Sequence, residues 1–227
     1  MNKGNKSEKD MKRLVIFDLD GTLTDSLKSI QYCTNLTIGE FGYAPLPLEP
    51  FRYFVGDGAN ELIKRVLKAL GDQQLVHYEK AMERYRQIFK ANCMYEVRPY
   101  EGILELLGAL KERGMLLAVN SNKPHEETVD VIRQVFGKDC FHMLAGQVPE
   151  RERKPDPAGI FHIVHTLGVN IEDVIYIGDT CTDMKTGKNA GVFTVGVLWG
   201  FRDRKELEEN KADVIIEKPM ELMKYLE

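Results

Sequence analysis

The sequence predicts an α/β fold in which a parallel sheet, covered by helices, is interrupted by a helical insertion. Three observations lead to this prediction. Short, almost wholly apolar runs recur along the chain, as expected for strands buried on both faces of a sheet. Amphipathic helical stretches alternate with these runs through short connections. Between the first run and Pro99, however, the pattern is helical and contains no comparable apolar run.

The first predicted strand is Leu14–Asp18, which is apolar up to its last residue and contains two β-branched side chains. The insertion follows it. Periodic apolar residues predict its helices at Leu27–Phe41, Ala59–Leu70 and Gln74–Cys93. Asp72 is a suitable N-cap for the third of them. The turn-rich segment Gly42–Gly58 separates the first two.

After Pro99, strands and helices alternate. The remaining strands are predicted at Met115–Asn120, Phe141–Gly146, Val174–Gly178, Val192–Val197 and Asp213–Ile216. Helices are predicted at Glu101–Arg113, Pro124–Phe136, Pro157–Leu167 and Asp183–Ala190, with a solvated helix at Arg202–Glu209. Strands joined through helices lie parallel, with right-handed crossovers. The predicted core is therefore residues 13–26 and 97–227, and the predicted insertion is residues 27–96.

The composition is that of a globular chain, with 43% hydrophobic and 29% charged residues among 227. A net charge of −4 argues against nucleic acid and anionic membranes as main partners, because both are polyanions. No run approaches the ~20 apolar residues of a membrane span. Four widely spaced cysteines predict reduced thiols, and residues 1–12 predict a flexible extension without a signal segment. Together these features favour a cytoplasmic protein.

Two acidic residues, Asp18 and Asp20, stand where the first strand ends. Residues two apart on a strand point the same way, and open α/β sheets bind ligands at the carboxyl ends of their strands. Like charges this close are unfavourable unless a cation shares them. Mg²⁺ binds through one or two carboxylates and a substrate phosphate. The pattern predicts a magnesium site, although Asp-Gly in an ordinary β-turn is the alternative.

A second acidic strand end lies in the C-terminal half. The strand Val174–Gly178 is followed by Asp179 and, four residues on, by Asp183. The alternative interpretation is a helix N-terminus with two acidic residues that the helix dipole stabilises. Two acidic strand ends in one sheet favour the metal interpretation, because parallel strands bring their carboxyl ends to one edge.

Candidate phosphate ligands follow two other elements. Ser121 and Asn122 stand between a strand and a helix, where a hydroxyl and backbone N–H groups can bind phosphate. A turn or a helix cap explains them equally well locally. Lys154 lies in a charged run whose prolines fix the loop, which favours a rigidly placed ammonium. Solvated surface is the alternative for that run.

In this order, the residues resemble the four motifs of the haloacid dehalogenase-like hydrolase superfamily. The motifs are Asp18-x-Asp20-Gly21-Thr22, Ser121, Lys154-Pro155 and Gly178-Asp179-x-x-x-Asp183. Further segments are similar to phosphoglycolate phosphatases and their close relatives, namely Val55–Gly58, Ser121–Pro124, Lys154–Pro157 and Val197–Phe201. The resemblance implies a Rossmann-like core with an inserted α-helical cap domain. It also implies a phosphatase, because dehalogenases lack the second aspartate of the first motif.

The resemblance implies a role for each motif residue. Asp18 would attack phosphorus and form an aspartyl-phosphate, while Asp20 would protonate the leaving group and then activate water. The implied cofactor is Mg²⁺, held by Asp18, Asp179 and the Asp20 carbonyl. Asp183 would bind the metal directly or through water, or orient Lys154. The implied phosphate ligands are Thr22, Ser121, Asn122 and Lys154.

Substrate choice is expected in the cap, at Arg52, Gly56, Asp57 and Gly58. Arg52 would pair with a substrate carboxylate, as phosphoglycolate requires, or else is an ordinary surface residue. The expected partner is a small phosphorylated metabolite, and the chain is expected to be a monomer or homodimer. Cys181, inside the fourth motif, is either a loop filler or an oxidation-sensitive thiol.

Other functions use the same residue pattern. A phosphomutase, a pyrophosphatase or a nucleotidase of the superfamily would carry the same motifs. A phospho-acceptor module of receiver type also phosphorylates an aspartate at a strand end beside Mg²⁺. Such modules are about half as long as this chain and have no cap, which makes them a remote alternative.

Overall fold

The structure is a computed structural model that describes residues 12–226. Its strands are β1 (Leu14–Phe17), β2 (Thr24–Asp25), β3 (Arg98–Pro99), β4 (Leu116–Pro124), β5 (Met143–Gln147), β6 (Val174–Gly178), β7 (Phe193–Val197) and β8 (Val214–Ile216). Its α-helices are α1 (Leu27–Gly39), α2 (Phe51–Phe54), α3 (Ala59–Ala69), α4 (Tyr78–Asn92), α5 (Ile103–Glu112), α6 (His125–Phe136), α7 (Ala158–Leu167), α8 (Cys181–Ala190) and α9 (Arg204–Glu209). Apart from Lys12, the predicted N-terminal extension lies outside the described residues.

The predicted parallel sheet is confirmed. Six strands hydrogen-bond in the order β5-β4-β1-β6-β7-β8, and each pairing in this sheet is parallel. The first strand, β1, therefore lies at the centre, between β4 and β6. Phe17 pairs with Val119 on one side and Ile177 on the other. The next residues, Asp18 after β1 and Gly178 at the end of β6, therefore lie next to each other.

Side chains of β1 alternate between the two faces of the sheet, because successive strand residues point in opposite directions. Val15 and Phe17 enter the larger apolar core, which includes residues of the insertion helices. Leu14 and Ile16 enter a smaller core on the other face, together with apolar residues of α7. Both faces of β1 are thus buried, which explains why its run contains no polar residue before Asp18.

The insertion consists of α1 to α4, which lie between β2 and β3. Helix α4 packs against α1 and α3. At the base, β2 and β3 form a separate antiparallel ribbon, in which Thr24 pairs with Pro99 and Asp25 with Arg98. The chain therefore leaves and re-enters the core at one point. The division into a core domain and a cap domain stays a prediction.

The start of α4 differs from the prediction. The helix begins at Tyr78 rather than at Gln74. Asp72 does not cap it directly: the Asp72 carboxylate accepts hydrogen bonds from the backbone N–H groups of Val76 (2.9 Å) and His77 (3.0 Å). These bonds stabilise a non-helical turn before α4. The residues that were predicted to form the first turn of the helix belong to this preceding turn instead.

Two other boundaries also differ. Strand β4 continues to Pro124, so that Ser121 and Asn122 lie on an irregular strand end rather than in a loop before a helix. The helix predicted from Arg202 begins at Arg204, and Arg202 is only 8% exposed, so it is not solvated.

No helix of residues 12–226 has the length and apolarity that crossing a membrane requires.

Candidate active site

Three carboxylates converge at the carboxyl edge of the sheet. Asp18 follows β1, Asp179 follows β6, and Asp183 lies in the first turn of α8. One oxygen atom from each lies within 4.8 Å of the others, and all three residues are buried. We call this group the acidic site. The pairing of β1 with β6 brings the two acidic strand ends together.

Hydrogen bonds fix the positions of Asp179 and Asp183. One Asp179 oxygen accepts from the Thr22 hydroxyl (3.0 Å) and the other from the backbone N–H of Phe201 (2.8 Å). Asp183 accepts from the hydroxyl (2.7 Å) and the N–H (3.1 Å) of Thr180. The bond from the Thr180 N–H and the reciprocal bond from the Asp183 N–H to the Thr180 hydroxyl (3.4 Å) form a capping box, which starts α8 two residues before the predicted position. Both carboxylates are therefore held before any ligand binds.

Lys154 is a fixed positive charge inside this acidic site. Its ammonium lies 2.7 Å from Asp18 and 2.7 Å from Asp183, and its side chain is only 4% exposed. The Tyr176 hydroxyl donates to the same oxygen of Asp183 at 3.0 Å. Although burial opposes it, the charges of Asp18 and Asp183 raise the pKa of Lys154 well above its usual value. The ammonium therefore stays protonated.

Burial makes two carboxylates of the acidic site, those of Asp18 and Asp179, difficult to ionise. Burial raises the pKa of Asp18 well above its usual value. The positive charge of Lys154 lowers this pKa, whereas the negative charges of Asp183 and Asp179 raise it further. Burial, together with the charge of Asp183, also raises the pKa of Asp179 to about 7. One ammonium cannot neutralise three carboxylates. A buried, all-oxygen donor set with this excess negative charge fits a divalent metal ion.

Close packing behind Asp179 requires glycine at two positions. Gly21 has a φ of +93°, and a Cβ atom there would overlap the Asp179 carboxylate. A Cβ atom at Gly200 would overlap it as well. These contacts explain why glycine follows the two aspartates of the first motif. Beside them, the indole N–H of Trp199 donates to the Thr22 carbonyl at 2.9 Å.

Asp20 forms an ion pair that sequence analysis missed. The Lys123 ammonium lies 2.9 Å and 2.8 Å from the two Asp20 oxygens, and the Ser26 hydroxyl donates to Asp20 at 2.6 Å. The Lys123 side chain is 3% exposed, and its ammonium lies 4.8 Å from the centre of the Phe89 ring on α4. The available signal was a lysine three residues beyond the predicted strand Met115–Asn120. It indicates a basic residue at the ligand-binding edge of the sheet.

A cavity of about 630 Å³ opens between the acidic edge of the sheet and the insertion. The predicted site residues in its lining are Asp18, Asp20, Ser121, Asn122, Lys154, Gly56 and Gly58. Most of the predicted catalytic and phosphate-binding side chains are therefore brought to one cavity.

Two predicted phosphate ligands mainly position their neighbours. The Asn122 side-chain oxygen accepts from the Lys154 N–H (2.9 Å), and its amide nitrogen donates to the Gly56 carbonyl (3.2 Å). Thr22 is fully buried, and its hydroxyl donates to Asp179. Asn122 thus fixes the loop that carries Lys154, and Thr22 fixes a carboxylate of the acidic site. Their contact with phosphate stays a prediction.

Arg52 and Asp57, two of the predicted specificity residues, lie outside the cavity lining. The Arg52 guanidinium donates to the Gly200 carbonyl at 3.2 Å. The Asp57 carboxylate accepts from the Thr182 hydroxyl and pairs with Arg65. Both side chains therefore hold the insertion against the core.

Arg202 reinforces this attachment. Its Nη2 donates to the Val55 carbonyl at 2.8 Å, and its Nε lies 3.1 Å from Glu206. The guanidinium also lies 5.4 Å from the centre of the Tyr53 ring. Its Nη1 is buried and has no hydrogen-bond partner among the described residues. The loop between α2 and α3 is thus bound to the core through one buried charge.

A central parallel strand that ends in an aspartate, with a buried lysine and two further acids beside it, defines a class of α/β hydrolases. The profile of haloacid dehalogenase-like hydrolases matches residues 15–197. The chain belongs to this family, as its motifs predicted.

Curated relatives support the expected reaction class. A phosphoglycolate phosphatase of Aquifex aeolicus is 31% identical over 219 residues, which are 95% of this chain and 97% of the relative. A phosphoglycolate phosphatase of Agrobacterium fabrum is 33% identical over 206 residues, 90% of this chain and 88% of the relative. The predicted enzyme class is confirmed: the chain is a phosphatase, a phosphoric monoester hydrolase.

Solved structures confirm the α/β fold. A candidate phosphoglycolate phosphatase of Lactobacillus delbrueckii subsp. bulgaricus superimposes with a TM-score of 0.86 at 27% identity, covering 95% of this chain and 98% of that protein. A haloacid dehalogenase-like family protein of Streptococcus pneumoniae gives a TM-score of 0.84 at 25% identity, covering 96% of this chain and all (100%) of that protein.

Proposed function

We propose that this chain hydrolyses the phosphate monoester of a small metabolite with Mg²⁺, through an aspartyl-phosphate on Asp18. The observation that carries the proposal is the convergence of Asp18, Asp179 and Asp183 around the Lys154 ammonium. Phosphoglycolate is the first substrate to test, because it is the substrate in the names of the relatives.

Asp18 is the proposed nucleophile. It lines the cavity, and one of its carboxylate oxygens is held by Lys154. Attack by the other oxygen on phosphorus would form an acyl phosphate and release the alcohol. Asp18, Asp179, Asp183 and the Asp20 carbonyl would hold Mg²⁺, which supplies charge neutralisation when bound.

Asp20 is the proposed acid and base. It lies two residues beyond Asp18 and lines the same cavity, with its carboxylate held by Lys123 and Ser26. It would give a proton to the leaving alkoxide in the first step. In the second step it would take a proton from the water that attacks the acyl phosphate, which restores Asp18.

Lys154 and Ser121 are the proposed phosphate ligands. Both line the cavity beside Asp18, and Lys154 is held by its own ion pairs before substrate arrives. Charge in the transition state of phosphoryl transfer is spread over the equatorial oxygens. A fixed ammonium and a hydroxyl at that position would stabilise it without reorganisation.

The test is phosphate release from phosphoglycolate and other small phosphate esters, with Mg²⁺ and with excess chelator. Asp18→Asn is expected to remove turnover by several orders of magnitude. Asp25→Asn, on an exposed residue of β2 outside the cavity lining, is the matched control and should keep full activity. Rapid quenching should recover acid-precipitable phosphate on the wild type but not on Asp18→Asn.

Three outcomes would contradict the proposal. Turnover by Asp18→Asn at the wild-type rate, with deamidation excluded by mass spectrometry, would show that Asp18 is not the nucleophile. Full activity in excess chelator would show that the reaction does not require a metal ion. Isomerisation of a phosphosugar without phosphate release would indicate a phosphomutase instead.

A further inference from the structure

Two chemically different groups of side chains line the cavity. The first group is Asp18, Ser121 and Lys154, which would bind and attack a phosphate. The second group belongs to the insertion and is apolar. These side chains are Ile30, Val55, Leu62, Met82, Tyr85 and Phe89, and we call them the apolar wall. A substrate with its phosphorus at Asp18 would therefore direct its leaving group at the apolar wall.

Helix α4 builds the centre of this wall. Met82, Tyr85 and Phe89 are spaced three and four residues apart, which puts them on one face of the helix. The rings of Tyr85 and Phe89 stack with centroids 5.3 Å apart and an angle of 21° between their planes. All three residues are at most 5% exposed. The wall is thus a packed surface of fixed shape.

The two buried cations of the cavity are already paired, and one of them, the Lys123 ammonium, lies 4.8 Å from the centre of the Phe89 ring in the wall. The Lys123 ammonium is paired with Asp20, and the Lys154 ammonium with Asp18. Arg86, Lys90 and Arg153 also line the cavity, but all three are exposed. A carboxylate placed against the apolar wall would lose water and would have to compete with Asp20 for the Lys123 ammonium.

The volume favours a larger leaving group than glycolate. About 630 Å³ is in the range of pockets that bind drug-sized ligands, whereas glycolate adds only two carbons and a carboxylate to the phosphate. Phosphoglycolate would leave most of the cavity filled with water. An apolar leaving group would displace that water and bury apolar surface.

We propose that this site takes phosphate monoesters whose leaving group is larger and more apolar than glycolate and packs on the apolar wall. The inference rests on the proposed phosphatase function and names the substrate class of that site. Specificity thus depends on contact with α4 rather than on an ion pair to Arg52.

The test is a series of unbranched alkyl phosphates from ethyl to hexyl, compared with phosphoglycolate. Their alkoxide leaving groups have nearly equal basicity, so a trend in kcat/KM reports recognition rather than leaving-group chemistry. Each methylene buried on the wall should raise kcat/KM about fourfold, which gives roughly two orders of magnitude across the series. Phosphoglycolate should fall among the poorest substrates.

Two further measurements identify the wall as the cause. Met82→Gln should lower the ratio of hexyl to ethyl phosphate kcat/KM at least tenfold, whereas Leu104→Gln, at a 58% exposed position on α5, should leave the ratio unchanged. Alkylphosphonates, which the enzyme cannot hydrolyse, should inhibit the wild type more strongly as the chain lengthens. The inhibition measurement uses only the wild type, so it tests the proposal even if Met82→Gln does not fold.

The outcomes separate the two proposals. Phosphate release that is flat across the series, or highest for phosphoglycolate, would overturn the apolar substrate class and leave the phosphatase proposal intact. Absence of phosphate release from every ester would overturn the phosphatase proposal. Alkylphosphonate affinity independent of chain length would also overturn the inference.

Discussion

Removing one carboxylate from the acidic site, by Asp179→Asn, is expected to stabilise the metal-free protein at about pH 8. The reason is the burial of Asp179, which with the charge of Asp183 raises the pKa of its carboxyl from 3.8 to about 7. Asparagine has nearly the same shape. It can still accept from the Phe201 N–H, and the Thr22 hydroxyl can turn to accept from the new amide.

The sign follows from proton linkage. Because the pKa of the folded carboxyl is higher than that of the unfolded one, its stabilising contribution is complete below pH 3.8 and is lost as the pH rises through about 7. Between about pH 6 and about pH 8 the folded carboxyl loses its proton while the unfolded one is already ionised. This lowers the free energy of unfolding by about 1.4 kcal/mol, or about 4 °C in Tm.

The assay is thermal unfolding of wild type and Asp179→Asn in excess chelator at the two pH values. All other titratable groups are present in both proteins, so the difference between the proteins reports the Asp179 carboxyl together with its effect on Asp18. Wild type should lose about 4 °C more than the variant between the lower and the higher pH. Adding Mg²⁺ should raise the Tm of wild type most at the higher pH, because metal binding requires ionised ligands, and should raise that of the variant far less. Equal pH dependence of the two proteins in chelator would refute the reasoning.

Three further substitutions test other contacts. Lys123→Met removes the cation that holds Asp20, so kcat should fall about 10²-fold while the far-UV circular dichroism spectrum is unchanged. An undiminished kcat would show that the ion pair does not orient the acid Asp20. Gly21→Ala places a Cβ against the Asp179 carboxylate at a φ of +93°, so the Mg²⁺ concentration for half-maximal activity should rise at least tenfold. Arg202→Met removes the hydrogen bond to the Val55 carbonyl, so limited proteolysis should cut the loop between α2 and α3 faster than in wild type. An equal rate of cleavage would show that Arg202 does not hold this loop against the core.

The sheet and the acidic site could be predicted from sequence because local patterns encode them. A strand buried on both faces needs a continuous apolar run, and β1 has one that ends directly at Asp18. The same holds for β6 and Asp179. Once two such strands are parallel neighbours, their acidic ends meet at one edge.

Two long-range contacts of charged side chains could not be predicted in this way. Lys123 and its partner Asp20 are 103 residues apart, and Arg52 and the Gly200 carbonyl are 148 apart. Whether a charged side chain is buried depends on the partner that folding brings to it. The sequence around Lys123 looks the same whether the ammonium is solvated or paired.

The single tryptophan of the chain lies beside the acidic site, with its indole N–H on the Thr22 carbonyl. The Thr22 hydroxyl in turn donates to Asp179. One hydrogen-bonded residue therefore separates the only indole from a carboxylate proposed to bind metal. Intrinsic fluorescence excited at the indole band would come from this one location, without background from other tryptophans. The protein thus carries a built-in optical probe, with which cation binding to its active site could be followed in real time without a label.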